Sequence, residues 1–277
     1  MSASQSDCAE SHCLINLPAS NGLGGSPMAT AAVPTQERLA SERKFYTRMA
    51  FFLVFVVLLG FGPSFYLRGI VPAYPRPNPT LPPAVIAHGL VFTAWMALLI
   101  AQTQLISARK HAVHMQLGKL GMLLAILMIP VMYLTAVWQV SRANQPPFST
   151  PLEWTIVPLA VIPPFAFLVY EAWRRRREPQ WHKRLMLCAA ILVVFGPGFS
   201  RIPLAPPSLA GFFIQLFAGL LLLIAPLFIW DRRTQGKVHP ATWTGFAACV
   251  VAAAIPLLFM VTHSWEPIAA KLPGIAG

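Results

Sequence analysis

The sequence predicts an all-α membrane protein: a bundle of seven transmembrane helices with its N-terminus in the cytoplasm and its C-terminus outside. Hydrophobic residues make up 56% of the 277 residues, and charged residues make up only 11%. About a quarter of the residues of a soluble globular protein are charged. Most of the surface of this chain must therefore face lipid rather than water.

Seven apolar runs are each long enough to cross the hydrocarbon core of a bilayer as a helix, which takes about 20 residues. Lipid offers no hydrogen-bond partners to the backbone, so each run must close its hydrogen bonds within itself. The runs are too long, and alternate too little between polar and apolar residues, to be membrane strands. They cover residues 49–67, 83–106, 117–140, 154–173, 185–200, 209–230 and 243–262.

The basic residues predict the orientation. The chain has 21 Lys and Arg against 9 Asp and Glu, and sixteen of the basic residues fall before span one, in the loops on that same side or, for Lys119, in the first turn of span three. Cytoplasmic loops carry the excess of Lys and Arg, which places the N-terminus inside. The net charge of +12 therefore indicates attraction to anionic lipid headgroups and not a nucleic-acid partner.

Three regions are predicted along the chain. Residues 1–45 are rich in Ser, Ala, Gly and Pro and are expected to be a disordered tail, within which Met28 is an alternative first residue. Residues 46–265 form the transmembrane domain, and residues 266–277 form a short outer tail. Cys188 and Cys249 lie inside spans and are expected to be free, buried thiols, because no paired motif accompanies them.

Span two carries a polar stripe. His88, Trp95 and Gln102 follow one another at intervals of seven residues, which aligns them on one side of a helix. Polar side chains inside a membrane are costly, so the stripe should face protein. It either forms hydrogen bonds between helices or lines a path for a transported solute.

Histidines at the helix ends suggest a redox cofactor. His111 and His114 precede span three, and His182 precedes span five on the same side of the membrane. Two neutral imidazoles on different helices can hold the iron of a b-type haem. His111 is expected to face lipid headgroups. Gly118 and Gly121 follow His114 and would either leave room for a flat macrocycle or allow close helix packing.

His88 cannot share an iron with His182, because it lies roughly 25 Å further along the membrane normal at 1.5 Å per helical residue. A second haem near His88 would need a ligand from the outer side, and His263 or Met260 is the candidate. No catalytic residue is predicted.

Together these residues resemble a known group of proteins. His88, Trp95, Gln102, the run HMQLGKLG at 114–121 and the run HKRLM at 182–186 resemble a family of uncharacterised bacterial multi-pass inner-membrane proteins. The two short runs are similar to the helix-end histidines of membrane b-type cytochromes and of proteins that aid haem–copper oxidase assembly. The likeness covers roughly residues 45 to 205.

The resemblance implies a bacterial inner-membrane protein that binds haem b through His88, His114 and His182, with haem iron between His114 and His182. Its partners would be a quinone or a redox enzyme. Two other functions fit the sequence. One is a small-molecule or ion transporter that uses the polar stripe of span two, and the other is a membrane assembly subunit without chemistry of its own.

Overall fold

The computed structural model describes residues 36–72 and 80–275, and this part of the chain is all-helical, without strands. Seven helical segments in it are long and apolar enough to cross a membrane, which confirms the predicted number of spans. The helices are α1 Gln36–Phe61, α2 Pro83–Ser107, α3 His111–Arg142, α4 Ile156–Leu159, α5 Ile162–Arg174, α6 Pro179–Phe195, α7 Leu209–Gln235, α8 Pro240–Thr262 and α9 Glu266–Ala269.

Several helices extend beyond the apolar runs at their polar ends. Helix α1 begins at Gln36, so residues 36–45, which the sequence analysis assigns to the tail, are helical. The remainder of that tail lies outside the described residues. Helix α3 begins at His111, six residues before the start expected from hydrophobicity. The polar first turns carry basic and aromatic side chains, which can remain at the interface while the helix continues into the apolar layer.

Span four is not one continuous helix. A 3₁₀ turn at Glu153–Thr155 leads into α4, and a turn at residues 160–161 separates α4 from α5. Pro163 and Pro164 occupy the first turn of α5, where a missing backbone N–H breaks no helical hydrogen bond. Prolines 130, 226 and 256 instead lie within the continuous helices α3, α7 and α8.

Helix α6 forms the centre of the bundle, and α2 lies at its edge. In the most apolar stretch of α6, 72% of the residues are buried inside the protein, whereas in that of α2 only 11% are buried. Helix α6 packs against α1, α5, α7 and α8, and α2 packs mainly against α1 and α3. The flank of α2 that is not covered by protein therefore faces lipid.

Small residues allow two very close approaches in the bundle. A Cβ atom at Gly60 of α1 would lie 2.1 Å from the carbonyl oxygen of Gly198, and one at Gly245 of α8 would lie 2.2 Å from Sγ of Cys188. Glycine is therefore required at both positions. Cys188 and Cys249 are free and buried, which confirms the expectation for these two thiols.

The ends of the spans gather at two faces. The face where α1, α3, α6 and α8 begin is called the basic face here, and contains the ion pair between Lys183 of α6 and Glu42 of α1. The other is called the opposite face, where His263 bonds to Glu153. These contacts join elements far apart in sequence at each face.

Candidate functional site

The structure brings His114 and His182 together at the basic face. His114 lies in the first turn of α3, and His182 lies in the first turn of α6. Their ring centres are 6.5 Å apart, and the ring planes are nearly perpendicular, at 86°. The pair that the sequence proposed as haem ligands is thus adjacent in the fold, although the two residues are separated by two spans.

Each ring has a nitrogen for which the described residues provide no hydrogen-bond partner. Nδ1 of His182 lies 2.8 Å from the carbonyl oxygen of Ala172. A carbonyl only accepts hydrogen bonds, so Nδ1 carries the proton and Nε2 keeps a lone pair. Nδ1 of His114 is buried and has no hydrogen-bond partner in the described part of the chain. A metal-binding histidine commonly donates from its other ring nitrogen to a backbone carbonyl, as His182 does.

Gln102 joins this site from α2. Its Nε2 donates to the backbone carbonyl of His114 at 3.3 Å, which ties the end of α2 to the start of α3. Its Oε1 is buried without a partner in residues 36–72 and 80–275. Polar atoms from α2, α3 and α6 therefore meet beside the basic face.

The glycines that follow His114 serve helix packing. A Cβ atom at Gly121 would lie 2.7 Å from Cδ2 of Leu98, and one at Gly118 would lie 3.5 Å from Nε2 of Gln102. Both glycines therefore face α2. The sequence allowed two roles for these glycines, close helix packing or room for a macrocycle. The structure shows close packing against α2, which leaves no space for a macrocycle beside them.

His88 lies near the opposite face, in the second turn of α2. Its ring stacks on Phe92, with the ring centres 4.3 Å apart, and its Nδ1 is buried without a partner in the described structure. The proposed second ligand, His263, bonds instead through Nδ1 to Oε1 of Glu153 at 2.9 Å. Met260, the other candidate, is 1% exposed.

Trp95 is the middle member of the stripe and is almost completely buried, at 3% exposure. Its indole packs edge-on against Phe165 of α5, with ring centres 5.6 Å apart. Within the described residues, Nε1 of Trp95 has no hydrogen-bond partner, like Nδ1 of His88 and Oε1 of Gln102. The stripe faces protein, as predicted, but only Gln102 forms the hydrogen bond between helices that such polar residues were expected to form.

Sequence reasoning missed a buried ion pair at the basic face. The side chains of Arg184 in α6 and Asp231 in α7 are both fully buried. Nε of Arg184 donates to Oδ1 of Asp231 at 3.0 Å, and Nη1 donates to the carbonyl oxygen of Gln180 at 2.9 Å. Asp231 also accepts from the backbone N–H of His239 at 3.0 Å and from the Thr242 hydroxyl. The available signal was an acidic residue directly after the apolar run 209–230 and ahead of Arg232 and Arg233.

A cavity of about 420 Å³ opens at the opposite face. It is lined by Glu153, His263, Glu266, Thr150 and Phe148, among others. Glu153 is 4% exposed and accepts hydrogen bonds from Ser149 and His263. Over the described residues, no group of three or more His, Cys, Asp or Glu is arranged to hold a metal ion.

Comparison of the chain with protein-family models, curated proteins and solved structures finds no match. The seven apolar helices identify a multi-pass membrane protein in contact with a lipid bilayer. Its chemistry has to be argued from its own side chains.

Proposed function

We propose that the protein is a membrane redox protein in which His114 and His182, at the basic face, would hold haem b. The 6.5 Å separation of the two ring centres carries the proposal. A metal ion lies about 2 Å from a coordinating imidazole nitrogen, so two rings on opposite sides of one ion have centres about 6 Å apart. The observed spacing fits that arrangement.

One of the two imidazoles, that of His182, is held in a tautomer that could bind iron. The Ala172 carbonyl keeps the proton of His182 on Nδ1, which fixes the tautomer and orients the ring. Nδ1 of His114 is buried and has no hydrogen-bond partner in the described part of the molecule. Held by the two histidines, haem b would supply reversible one-electron transfer.

The macrocycle would have to lie away from the two glycines, because α2 covers them. Both histidines are in first helical turns, and residues 111–113 are exposed. The accessible side of the pair is therefore the rim of the basic face. Arg109 and Lys110 lie in the short connection before α3 and are the nearest cations in sequence for the propionate carboxylates.

The positive-inside rule makes the basic face cytoplasmic. We therefore propose a location in the bacterial inner membrane, with the N-terminus inside, the C-terminus outside and the haem near the cytoplasm. The electron partner would be a membrane quinone or another redox enzyme.

Absorbance spectra of the purified protein, expressed with added haem precursor, test the proposal. Dithionite reduction should give an α band and a shifted Soret band in the wild type. His114→Ala and His182→Ala should each remove these bands, because each removes an axial ligand. His111→Ala is the matched control, because this histidine is exposed and only three residues from His114, and it should keep the spectrum. A wild-type protein without the α band, or three variants with the same spectrum, would contradict the proposal.

A further inference from the structure

The cavity at the opposite face contains both acidic residues that the sequence places at that face. Glu153 and Glu266 are the acidic residues in the segments that join or follow the spans there, namely 62–82, 143–155, 196–208 and 263–277. Both line the cavity, and among the described residues around it none is Lys or Arg. The chain as a whole has a net charge of +12. The cavity therefore concentrates negative charge in a strongly basic protein.

The two carboxylates have no basic partner of their own. Glu153 is 4% exposed, and burial of a carboxylate is costly unless a positive charge accompanies it. Within residues 36–72 and 80–275, the ion pairs of Lys and Arg involve other acidic residues. Glu153 instead contacts His263, which carries a charge only when protonated. A cation from outside the chain would complete the charge balance of the cavity.

The polar side chains around the cavity offer acceptors to a ligand. The Ser149 hydroxyl donates to Oε2 of Glu153 at 3.2 Å, and the Thr150 hydroxyl donates to Oε1 of Glu266. Nδ1 of His263 lies 2.9 Å from Oε1 of Glu153. An ionised carboxylate only accepts, so Nδ1 carries the proton and Nε2 of the neutral ring is an acceptor. Because these donors are already used, a ligand has to bring its own.

The two walls of the cavity are held together by the protein itself. Nε1 of Trp265 donates to Oγ1 of Thr155 at 2.8 Å, which joins the residue before α9 to the 3₁₀ turn that begins at Glu153. The backbone N–H of Glu153 donates to Oγ1 of Thr150 at 3.1 Å, and the same hydroxyl donates to Glu266. Both carboxylates are therefore in place before a ligand arrives, which lowers the cost of binding.

A primary ammonium group meets both requirements of the cavity, because it has a positive charge and three N–H donors. The volume of about 420 Å³ is in the range of small-molecule sites. A calcium ion takes about six to eight oxygen ligands, and the described residues contain no group of three or more metal-binding side chains. Phe148 adds an apolar surface for the carbon chain of an amine, and its ring is packed by Trp154 and Phe212.

We propose that this cavity binds a small aliphatic amine in its ammonium form, with Glu153 and Glu266 as counter-charges. Glu266 provides most of the contact, because the bond from Thr150 takes one of about four acceptor sites of its carboxylate. Glu153 is more buried and accepts from two side chains. The site lies at the face opposite to His114 and His182, so amine binding goes beyond the proposed redox function and does not require haem.

Binding of a diamine to the wild-type full-length chain in detergent tests the proposal without any substitution. Isothermal titration calorimetry should show saturable binding of 1,4-diaminobutane, whose two ammonium groups match the two carboxylates. The control 1,4-butanediol has the same carbon chain without charge and should show no saturable binding. The hexamethylated diamine keeps both charges but has no N–H, and should bind at least about tenfold more weakly. Absence of diamine binding, or equal affinity for the two diamines, would overturn the proposal.

Glu266→Gln tests the carboxylate that provides most of the contact. The variant should bind 1,4-diaminobutane about tenfold to hundredfold more weakly, the loss expected for a hydrogen bond to a charged group. Its thermal unfolding midpoint without amine should stay near the wild type, because this side chain is only partly buried. Glu37→Gln is the matched control, since Glu37 is exposed in the first turn of α1, and it should bind normally. Equal loss in both variants would indicate general charge attraction and overturn the proposal.

Protonated His263 and an inorganic cation are the competing sources of positive charge. His263→Gln removes the imidazole and should bind 1,4-diaminobutane at least as tightly as the wild type. Diamine binding found only in His263→Gln would mean that the histidine already provides the counter-charge, and would overturn the proposal. Titration with calcium chloride tests the other source. Calcium binding that depends on Glu266, without diamine binding, would assign the cavity to an inorganic cation and would likewise overturn it.

Discussion

The neighbours of His239 determine the protonation state of its imidazole. It is the N-cap residue of α8, and its Nδ1 accepts a hydrogen bond from the backbone N–H of Ala241 at 3.1 Å. Burial, and then the nearby positive charge of Arg184, lower the pKa of its imidazole below the ordinary value. Both causes favour the neutral ring, and the neutral ring is the form in which Nδ1 can accept. The cap therefore depends on a deprotonated histidine.

The lowered pKa of His239 predicts a loss of stability in mild acid. As the pH falls below about 6.5, the unfolded chain binds a proton at this residue before the folded chain does. Stability contributed by the neutral ring is therefore present above that pH and is lost as the pH falls toward the folded pKa. His239→Asn keeps an acceptor at the N-cap without titrating, so its thermal midpoint should fall less between pH 7 and pH 5. If the thermal midpoints of the two proteins fell in parallel between pH 7 and pH 5, His239 would not be the residue that titrates.

At the scale of helices, the ion pair between Arg184 and Asp231 fixes how three elements meet. Arg184 belongs to α6 and Asp231 belongs to α7. Asp231 also accepts hydrogen bonds from the N-cap residue of α8, His239, and from Thr242 in the first turn of α8. Arg184 follows His182 by two residues, about 200° around α6. One side of α6 is therefore held by Asp231, while the other side presents His182 to His114.

Removal of Asp231 should destabilise the bundle strongly. Asp231→Ala leaves the Arg184 guanidinium buried without its counter-charge, a change that costs about 3 to 5 kcal/mol in comparable pairs. The thermal unfolding midpoint in detergent should drop accordingly. The double variant Arg184→Met, Asp231→Leu should recover much of the loss, because it removes both buried charges. Arg174→Ala breaks an exposed pair with Glu171 on one helix and should leave the midpoint near the wild type. If the thermal midpoint of Asp231→Ala were as high as that of Arg174→Ala, the buried pair of Arg184 and Asp231 would not stabilise the bundle.

Much of the helix pattern could be predicted from the sequence, because each span is specified by about twenty residues whose hydrophobicity adds up. The proximity of His114 and His182 is also predicted by the sequence, since both belong to helix ends on one face. The contact of Gly121 with Leu98 and the ion pair of Arg184 with Asp231 were not predicted. Both depend on the rotation of each helix about its axis, and apolar runs without a polar side carry little information about rotation.

The whole molecule has an uneven distribution of charge across its two faces. Sixteen of the 21 Lys and Arg residues lie in the helix ends and loops of the basic face or in the first helix before its apolar part. In a soluble protein a net charge of +12 would suggest an anionic ligand. Here the seven spans place most of the positive charge on one side of the membrane. The charge therefore determines the direction in which the protein inserts.

The orientation can be measured with reporters fused to the full chain. Seven spans put the C-terminus on the side opposite to the N-terminus, so a C-terminal alkaline phosphatase should be active and a C-terminal green fluorescent protein should be dark. The same reporters inserted between α2 and α3, beside Arg109 and Lys110, should give the reverse result, because that loop belongs to the basic face. Bright fluorescence at the C-terminus would place the basic face outside. The His114 and His182 pair would then lie at the outer surface, and an electron partner would have to be sought there rather than in the cytoplasm.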